Sequence, residues 1–122
     1  MTVRVFAQGT VNPENRQAFI LQAEKLIKKI QETEAGTTLV YEFYLSDSDE
    51  AGNCVIHEAY VSGEDLARHI VALGDDFAVI TQLFQPSMMR IAGKVPQFVI
   101  DTLSKIGDLE NHPTLVDANS DG

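Results

Sequence analysis

The chain is poor in cysteine and in basic side chains, and it has no tryptophan. It contains one cysteine among 122 residues, so no disulfide can form within it. Lysine and arginine together number 9 against 18 acidic residues, which gives a formal net charge of −9. Nucleic acids and anionic membranes both bind clustered basic side chains, so we expect neither as a partner.

Long apolar runs are also missing from the sequence. No stretch approaches the roughly 18 apolar residues that a membrane-spanning helix needs. Residues 1–5 alternate in hydropathy and lack the apolar segment of a signal peptide. The one cysteine, Cys54, lies in a strand-like run, which favours a buried structural thiol over a nucleophile. We therefore expect a cytoplasmic protein.

The remaining composition is that of a globular domain. With 44% apolar residues the chain can form a core, and 122 residues suit one domain. The apolar pattern predicts strands over residues 3–11, 37–45, 53–61 and 87–94, and helices over residues 13–32, 66–84 and 95–106. Residues 114–116 can add a short strand to a sheet edge, and residues 119–122 are expected to be frayed.

This order repeats strand, helix, strand twice and ends in a further helix. The repeat predicts an α+β, ferredoxin-like fold, in which two helices cover one face of a four-stranded antiparallel sheet. Both faces of that sheet are expected to be apolar: Val3, Val5, Val40, Tyr44, Val55 and Val61 on one, and Phe6, Leu39, Tyr41, Phe43, Ile56 and Tyr60 on the other. Because helices cover only one face, we expect a second copy of the chain to cover the other.

Three side chains capable of acid–base chemistry lie close together in the sequence. Glu58 and Tyr60 belong to the predicted third strand, and His69 lies on the helix that follows. An imidazole titrates near neutral pH, so His69 can take a proton from a phenol while Glu58 orients the ring. The alternatives are that His69 packs in the core and that Glu58 pairs with Arg4 or Arg90 across the sheet.

The tyrosines and the second histidine of this stretch have simpler interpretations as well. Tyr41 and Tyr60 can donate hydrogen bonds to a quinol-like oxygen, or they can be core or dimer contacts. His57 faces away from its neighbour Glu58, because successive strand residues point to opposite faces. His57, Glu58 and His69 therefore do not share a face as metal ligands must, and no metal site is predicted.

These residues resemble a known family pattern. The matching pieces are Glu34-Ala35-Gly36, Ile56-His57-Glu58-Ala59-Tyr60, Ser62-Gly63-Glu64-Asp65-Leu66-Ala67-Arg68-His69 and the later Phe77. Together they are similar to the antibiotic biosynthesis monooxygenase (ABM) family, which includes quinol monooxygenases of the dimeric α+β barrel type. In that family a Glu-x-aromatic sequence ends the third strand, and a histidine follows the glutamate by eleven residues, as Glu58, Tyr60 and His69 do here. The resemblance covers residues 2–93.

The resemblance implies a domain of residues 1–94 that pairs through its sheet into a dimeric barrel, and a C-terminal extension of residues 95–122. Enzymes of the family oxidise electron-rich aromatic substrates with O₂ and need no metal or flavin. The implied catalytic residues are His69 and Glu58, and the implied substrate-binding residues are Tyr60, Tyr41 and Phe77. A related haem-degrading branch uses a tryptophan where this chain has His69, so no haem cofactor is expected.

The residues and the resemblance together leave three candidate functions. The first is a homodimeric monooxygenase that oxidises a small phenolic or quinol substrate and needs no cofactor. The second is a non-catalytic dimeric barrel that binds a small apolar ligand in the same pocket. The third is an amino-acid-sensing regulatory module, which shares the strand–helix order but usually accompanies a second domain that 122 residues do not accommodate.

Overall fold

The computed structural model describes residues 1–118, which form one five-stranded sheet with four α-helices on one of its faces. The strands are β1 (Val3–Thr10), β2 (Thr38–Leu45), β3 (Cys54–Tyr60), β4 (Gln85–Ala92) and β5 (Leu109–His112). The helices are α1 (Arg16–Thr33), α2 (Gly63–Leu73), α3 (Asp75–Gln82) and α4 (Gln97–Ser104). The predicted α+β, ferredoxin-like fold is confirmed. The end expected to be frayed, residues 119–122, lies outside the described residues.

The sheet has one strand more than the four-stranded core that the sequence predicts. Its order is β2-β3-β1-β4-β5, with antiparallel pairs throughout except for the parallel pair β4–β5. The prediction of an edge strand at residues 114–116 is wrong, because residues 109–112 form it. Leu109 packs against the core, whereas Leu115 and Val116 are 48% and 86% exposed.

The predicted helix over residues 66–84 is two helices, α2 and α3. The break lies at Gly74, whose φ of +52° ends α2 in a conformation that glycine adopts without strain. The first of the two begins at Gly63, three residues before the predicted start, because the Ser62 hydroxyl caps it by accepting a hydrogen bond of 3.2 Å from the Asp65 backbone N–H. Leu73 and Ile80 still share one core, so the apolar face continues across the break.

Strand register decides which residues face the helices. Val3 lies opposite Tyr60 and Val5 opposite Glu58, so these four side chains share the inner, helix-covered face. The predicted grouping of Val3 and Val5 with Val40, Tyr44 and Val55 is wrong, because the register places the latter three on the outer face.

The outer face of the sheet is only partly apolar, because charged side chains such as Arg4 and Glu42 also lie on it. It includes Phe6, Tyr44 and Val55, which are 36%, 55% and 44% exposed. Phe6 lies opposite His57 in the β1–β3 register, so it does not share a face with Tyr60 as the sequence predicts. The outer face therefore carries large apolar side chains that the helices of this chain do not cover.

The C-terminal segment completes the core over the inner face. Val99 and Leu103 of α4 are buried against Val3 and Ile91 of the sheet. The segment that leads into α4 also packs tightly on the start of α2, where a Cβ added to Gly63 would lie 2.4 Å from the Lys94 carbonyl oxygen. Among residues 1–118, no helix has both the length and the hydropathy needed to cross a bilayer.

Candidate functional site

A cavity of about 80 Å³ lies between the inner face of the sheet and the helices. On this scale a water molecule needs roughly 10–15 Å³, so the cavity is large enough for several waters. Its polar lining residues are Tyr41, Glu58, His69 and Thr81. The rest of the lining is apolar: Val5, Ala7, Phe43, Ile56, Leu66, Ile70, Leu73, Phe77, Ile80, Phe84, Met89, Leu103 and Ile106.

His69 is the polar side chain that joins the helices to the sheet at this cavity. It lies on the buried face of α2, and its side chain is 2% exposed. Its Nδ1 is 2.8 Å from Oε1 of Glu34, and its Nε2 is 3.9 Å from Oε1 of Glu58. The rings of Tyr41 and Tyr60 pack against it, each with its centroid 5.1 Å away. The imidazole is therefore held between two carboxyl groups and two aromatic rings.

Glu58 projects from β3 into the cavity from the opposite side. The Tyr60 hydroxyl, two residues along the same strand, donates a short hydrogen bond to Glu58 Oε1. Burial raises the pKa of Glu58 above its ordinary value, while His69 and the Tyr60 hydrogen bond oppose that rise. A pairing of Glu58 with Arg4 or Arg90 does not occur, because Arg4 contacts His57 and Arg90 binds Glu110.

The three predicted substrate-binding residues differ in their access to the cavity. Tyr41 lines it beside His69, and burial, with a contribution from Glu58, raises the pKa of its phenol. Phe77 also lines it, from the first turn of α3. Tyr60 is fully buried behind Glu58 and is not a lining residue. Its hydroxyl reaches the cavity only through the hydrogen bond to Glu58.

Glu34, which the sequence pattern does not single out as a site residue, makes the hydrogen bond that holds the His69 ring. This residue follows α1 directly, and its side chain is 10% exposed. The Thr38 hydroxyl donates to the same oxygen, Oε1, at 3.2 Å. The available signal is the Glu34-Ala35-Gly36 segment of the family resemblance, although from the residues alone that segment indicates only the end of a helix.

The second histidine of the motif lies on the other side of the sheet, as predicted. His57 stacks on Phe6 with 4.9 Å between ring centroids, and its Nδ1 is 3.6 Å from Oε1 of Glu42. In the part of the chain that the structure describes, no group of three or more histidine, cysteine or acidic side chains is arranged to hold a metal ion.

Comparisons with known proteins identify the fold. The sequence matches no protein-family model and no curated protein. Among solved structures, MupZ from Pseudomonas fluorescens superposes with a TM-score of 0.71 at 15% identity, over 98% of this chain and 95% of MupZ. A candidate antibiotic biosynthesis monooxygenase from Caulobacter crescentus gives 0.64 at 21% identity, over 78% and 91%. Rv0793 from Mycobacterium tuberculosis gives 0.62 at 19% identity, over 79% and 97%.

The solved structures match different shares of this chain. The Caulobacter match covers 78% of the chain, close to the share that the sequence resemblance covers, whereas the MupZ match at 98% coverage takes in the C-terminal segment as well. A further antibiotic biosynthesis monooxygenase structure matches with a TM-score of 0.60 at 18% identity, over 77% of this chain and 99% of that protein. The predicted resemblance is confirmed at the level of the fold, and the chain is an α+β protein with the architecture of the antibiotic biosynthesis monooxygenases.

Proposed function

We propose that this chain is a homodimeric monooxygenase that oxidises a small phenolic or quinol substrate with O₂ and needs no cofactor. The observation that carries the proposal is a buried imidazole at an apolar cavity, with a carboxyl group near each ring nitrogen. The fold shared with antibiotic biosynthesis monooxygenases supports the same class of reaction. The proposed catalytic residues are His69 and Glu58, and the proposed substrate-binding residues are Tyr41, Tyr60 and Phe77.

In this mechanism Nε2 of His69 removes the proton of a substrate hydroxyl. The distance of 3.9 Å from Nε2 to Glu58 Oε1 exceeds a hydrogen-bond length, so these two atoms are not hydrogen-bonded to each other. Both can therefore bind a substrate oxygen. The raised pKa of Tyr41 keeps its phenol protonated as a hydrogen-bond donor beside them. Phe77 and the other apolar lining residues contact the substrate ring.

The reaction balances without an external reductant. The deprotonated quinol and O₂ combine into a ring peroxide, because removal of the proton makes the ring a better electron donor. The proton held by His69 converts the peroxide into a hydroperoxide, and loss of water then leaves a new carbonyl. A quinol and O₂ therefore give a hydroxyquinone and one water, and the quinol itself supplies the electrons.

The dimer of this proposal forms through the outer face of the sheet. Phe6, Tyr44 and Val55 are large apolar side chains that α1 to α4 leave exposed, and they lie on neighbouring strands. A second copy of the chain presents the same surface and can cover it. Sedimentation of the wild type as a dimer, and of a Val55→Asp variant as a monomer, would support this; a wild type that sediments as a single protomer would refute it.

A cytoplasmic location belongs to the same proposal. Cys54 is fully buried, and burial raises the pKa of its thiol to about 11. A thiol in this state neither pairs nor reacts readily, so its role is packing. A chain stabilised in this way does not depend on an oxidising compartment.

Oxygen uptake with a panel of one- and two-ring quinols tests the enzymatic function. We expect wild-type protein to consume O₂ and His69→Ala to lose at least about tenfold, because a positioned base contributes roughly 10²–10⁴-fold. The matched control is His112→Ala, since His112 is 63% exposed on β5 and does not line the cavity. Equal uptake by wild type and His69→Ala would remove the role proposed for His69.

The apolar lining of the cavity favours a second candidate, a non-catalytic protein that binds a small apolar ligand. Only four of the lining residues are polar, so an aromatic ring without hydroxyl groups can also enter. The same quinol panel separates the two functions. Ligands that raise the melting temperature while no O₂ is consumed would favour the binding protein.

A further inference from the structure

Glu34 and His69 are brought together from two different helices. Glu34 ends α1, His69 lies in the middle of α2, and 35 positions separate them in the sequence. The backbone of Glu34 is held on both sides: its N–H donates to the Ile30 carbonyl, and its own carbonyl accepts from the N–H groups of Thr37 and Thr38. The carboxyl group therefore reaches His69 from a fixed position.

The hydrogen bond between them has a definite direction. Oε1 of Glu34 accepts from the Thr38 hydroxyl at 3.2 Å, so this oxygen acts as an acceptor. As a carboxylate, Glu34 has no proton to give, so at 2.8 Å it is Nδ1 that carries the proton and donates it. In a neutral imidazole the lone pair is then on the other nitrogen, Nε2, which is the one near Glu58.

The other oxygen of Glu34 indicates that the residue is not present for stability. Oε2 is buried and has no hydrogen-bond partner among the described residues. A buried carboxylate oxygen without a partner destabilises a fold, and a well-packed apolar pair in place of both Glu34 and His69 would often be no worse for stability. Glu34 therefore has a structural cost, and its contact with His69 is the feature that accounts for its presence.

We propose that Glu34 is a positioning residue, which keeps the proton of His69 on Nδ1 and so presents the Nε2 lone pair to Glu58 and the cavity. Glu58 does not serve as the orienting acid, because at 3.9 Å it is beyond hydrogen-bond distance of the ring. The consequence for catalysis rests on the proposed oxygenase function, whereas the protonation state of the ring does not.

Nitrogen NMR of the histidine rings reads this protonation state directly. A His57→Gln, His112→Gln background leaves His69 as the one histidine of the chain, so its two ring nitrogens can be assigned without ambiguity. At pH 8 we expect Nδ1 to carry the proton and Nε2 to be bare. A ring with its proton on Nε2, or with both nitrogens protonated, would overturn the proposal without any need for a variant at position 34.

Two variants of Glu34 test whether this residue is the cause. Glu34→Gln keeps an acceptor oxygen, so the ring should retain its proton on Nδ1. Glu34→Leu removes the acceptor, so Nδ1 should no longer hold the proton exclusively, and a population protonated on Nε2, the nitrogen nearer Glu58, should appear. An unchanged nitrogen pattern in folded Glu34→Leu protein would refute the role of Glu34.

Turnover separates this inference from the proposed function. If wild type oxidises quinols, kcat of Glu34→Leu should fall roughly 10- to 100-fold with little change in KM, as part of the contribution of a positioned base, and Glu34→Gln should recover most of it. Absence of wild-type oxidation together with the expected nitrogen pattern would refute the function and leave the inference standing. Oxidation by wild type with the ring proton on Nε2 would support the function and refute the inference.

Discussion

The contact between Glu34 and His69 predicts a strong energetic coupling between two residues on different helices. Replacing His69 by leucine removes the N–H donor and leaves the buried Glu34 carboxyl with the Thr38 hydroxyl as its one remaining donor. Replacing Glu34 by leucine instead leaves the buried Nδ1 of His69 without its hydrogen-bond partner. Replacing both leaves two apolar side chains in contact, so neither the imidazole nor the carboxyl group remains buried without its partner.

The structure sets the size of the expected effects. The two side chains are 2% and 10% exposed, so solvent can replace little of what each single substitution removes. Leaving one buried polar group without its partner costs about 1–3 kcal/mol, whereas replacing both members by apolar residues is often close to neutral. The free energy of unfolding of a small domain is roughly 5–15 kcal/mol, so each single variant should be markedly destabilised. We expect a coupling energy of about 2–3 kcal/mol.

Urea unfolding followed by circular dichroism measures this coupling. Wild type, His69→Leu, Glu34→Leu and the double variant form one cycle, and their transition slopes must agree for the comparison to hold. A control cycle combines Glu34→Leu with His112→Leu, because His112 is exposed on β5 and does not contact Glu34. The control should be additive within about 0.5 kcal/mol. Additivity of similar quality in the first cycle would refute the buried contact.

Three further predictions concern single side chains. Burial raises the pKa of Glu58, so the folded state favours the protonated form of this residue. The stability that Glu58 contributes is therefore present below its ordinary pKa and is lost as pH rises through the raised pKa. Glu58→Gln, which cannot ionise, should therefore gain stability relative to wild type between pH 4.5 and pH 8 in urea titrations, and no gain would contradict the shift. Cys54, with its pKa raised to about 11 by burial, should not react with a disulfide reagent at pH 8 until the protein is unfolded in guanidinium, and rapid labelling of native protein would contradict its burial. Gly74→Ala should lower the free energy of unfolding by about 1–3 kcal/mol through backbone strain alone, because φ is +52° and no atom lies within 4 Å of the added Cβ. Gly36 is equally open but has no positive φ, so Gly36→Ala should change stability little.

Local chemistry explains most of what can be predicted about the fold. The order of strands and helices follows from apolar periodicity, and the start of α2 at Ser62 follows from helix-capping preferences, because both depend on neighbours within a few residues. The break at Gly74 lies within a continuous apolar stripe, so periodicity alone does not reveal it. The edge strand at residues 109–112 escapes prediction because a polar four-residue strand has little pattern of its own.

The assignment of side chains to sheet faces shows the limit of pattern recognition. Alternation within β1 correctly separates Val3 and Val5 from Phe6. It does not say which set of β3 residues shares a face with them, because a register shift of one residue moves every side chain of a strand to the other face. The pairing of Val5 with Glu58 resolves this and puts Glu58 on the helix-covered side.

The candidate site also combines residues that the sequence reveals with a contact that only tertiary packing creates. The types and spacing of Glu58, Tyr60 and His69 are written in the sequence, and they are enough to indicate acid–base chemistry. The role of Glu34 is not visible there, because its contact with His69 spans 35 positions and exists only once α1 and α2 pack on the same sheet.

By itself, the sequence determined most of the element order, the fold class and the candidate acid–base residues. All of these depend on residue type and short-range spacing. Tertiary structure alone decided the register, the closing of the cavity by Leu103 of α4 and by Ile106 just beyond it, and the placement of His69 between two carboxyl groups. These features depend on how distant segments pack, and packing is a property of the whole chain that no local pattern contains.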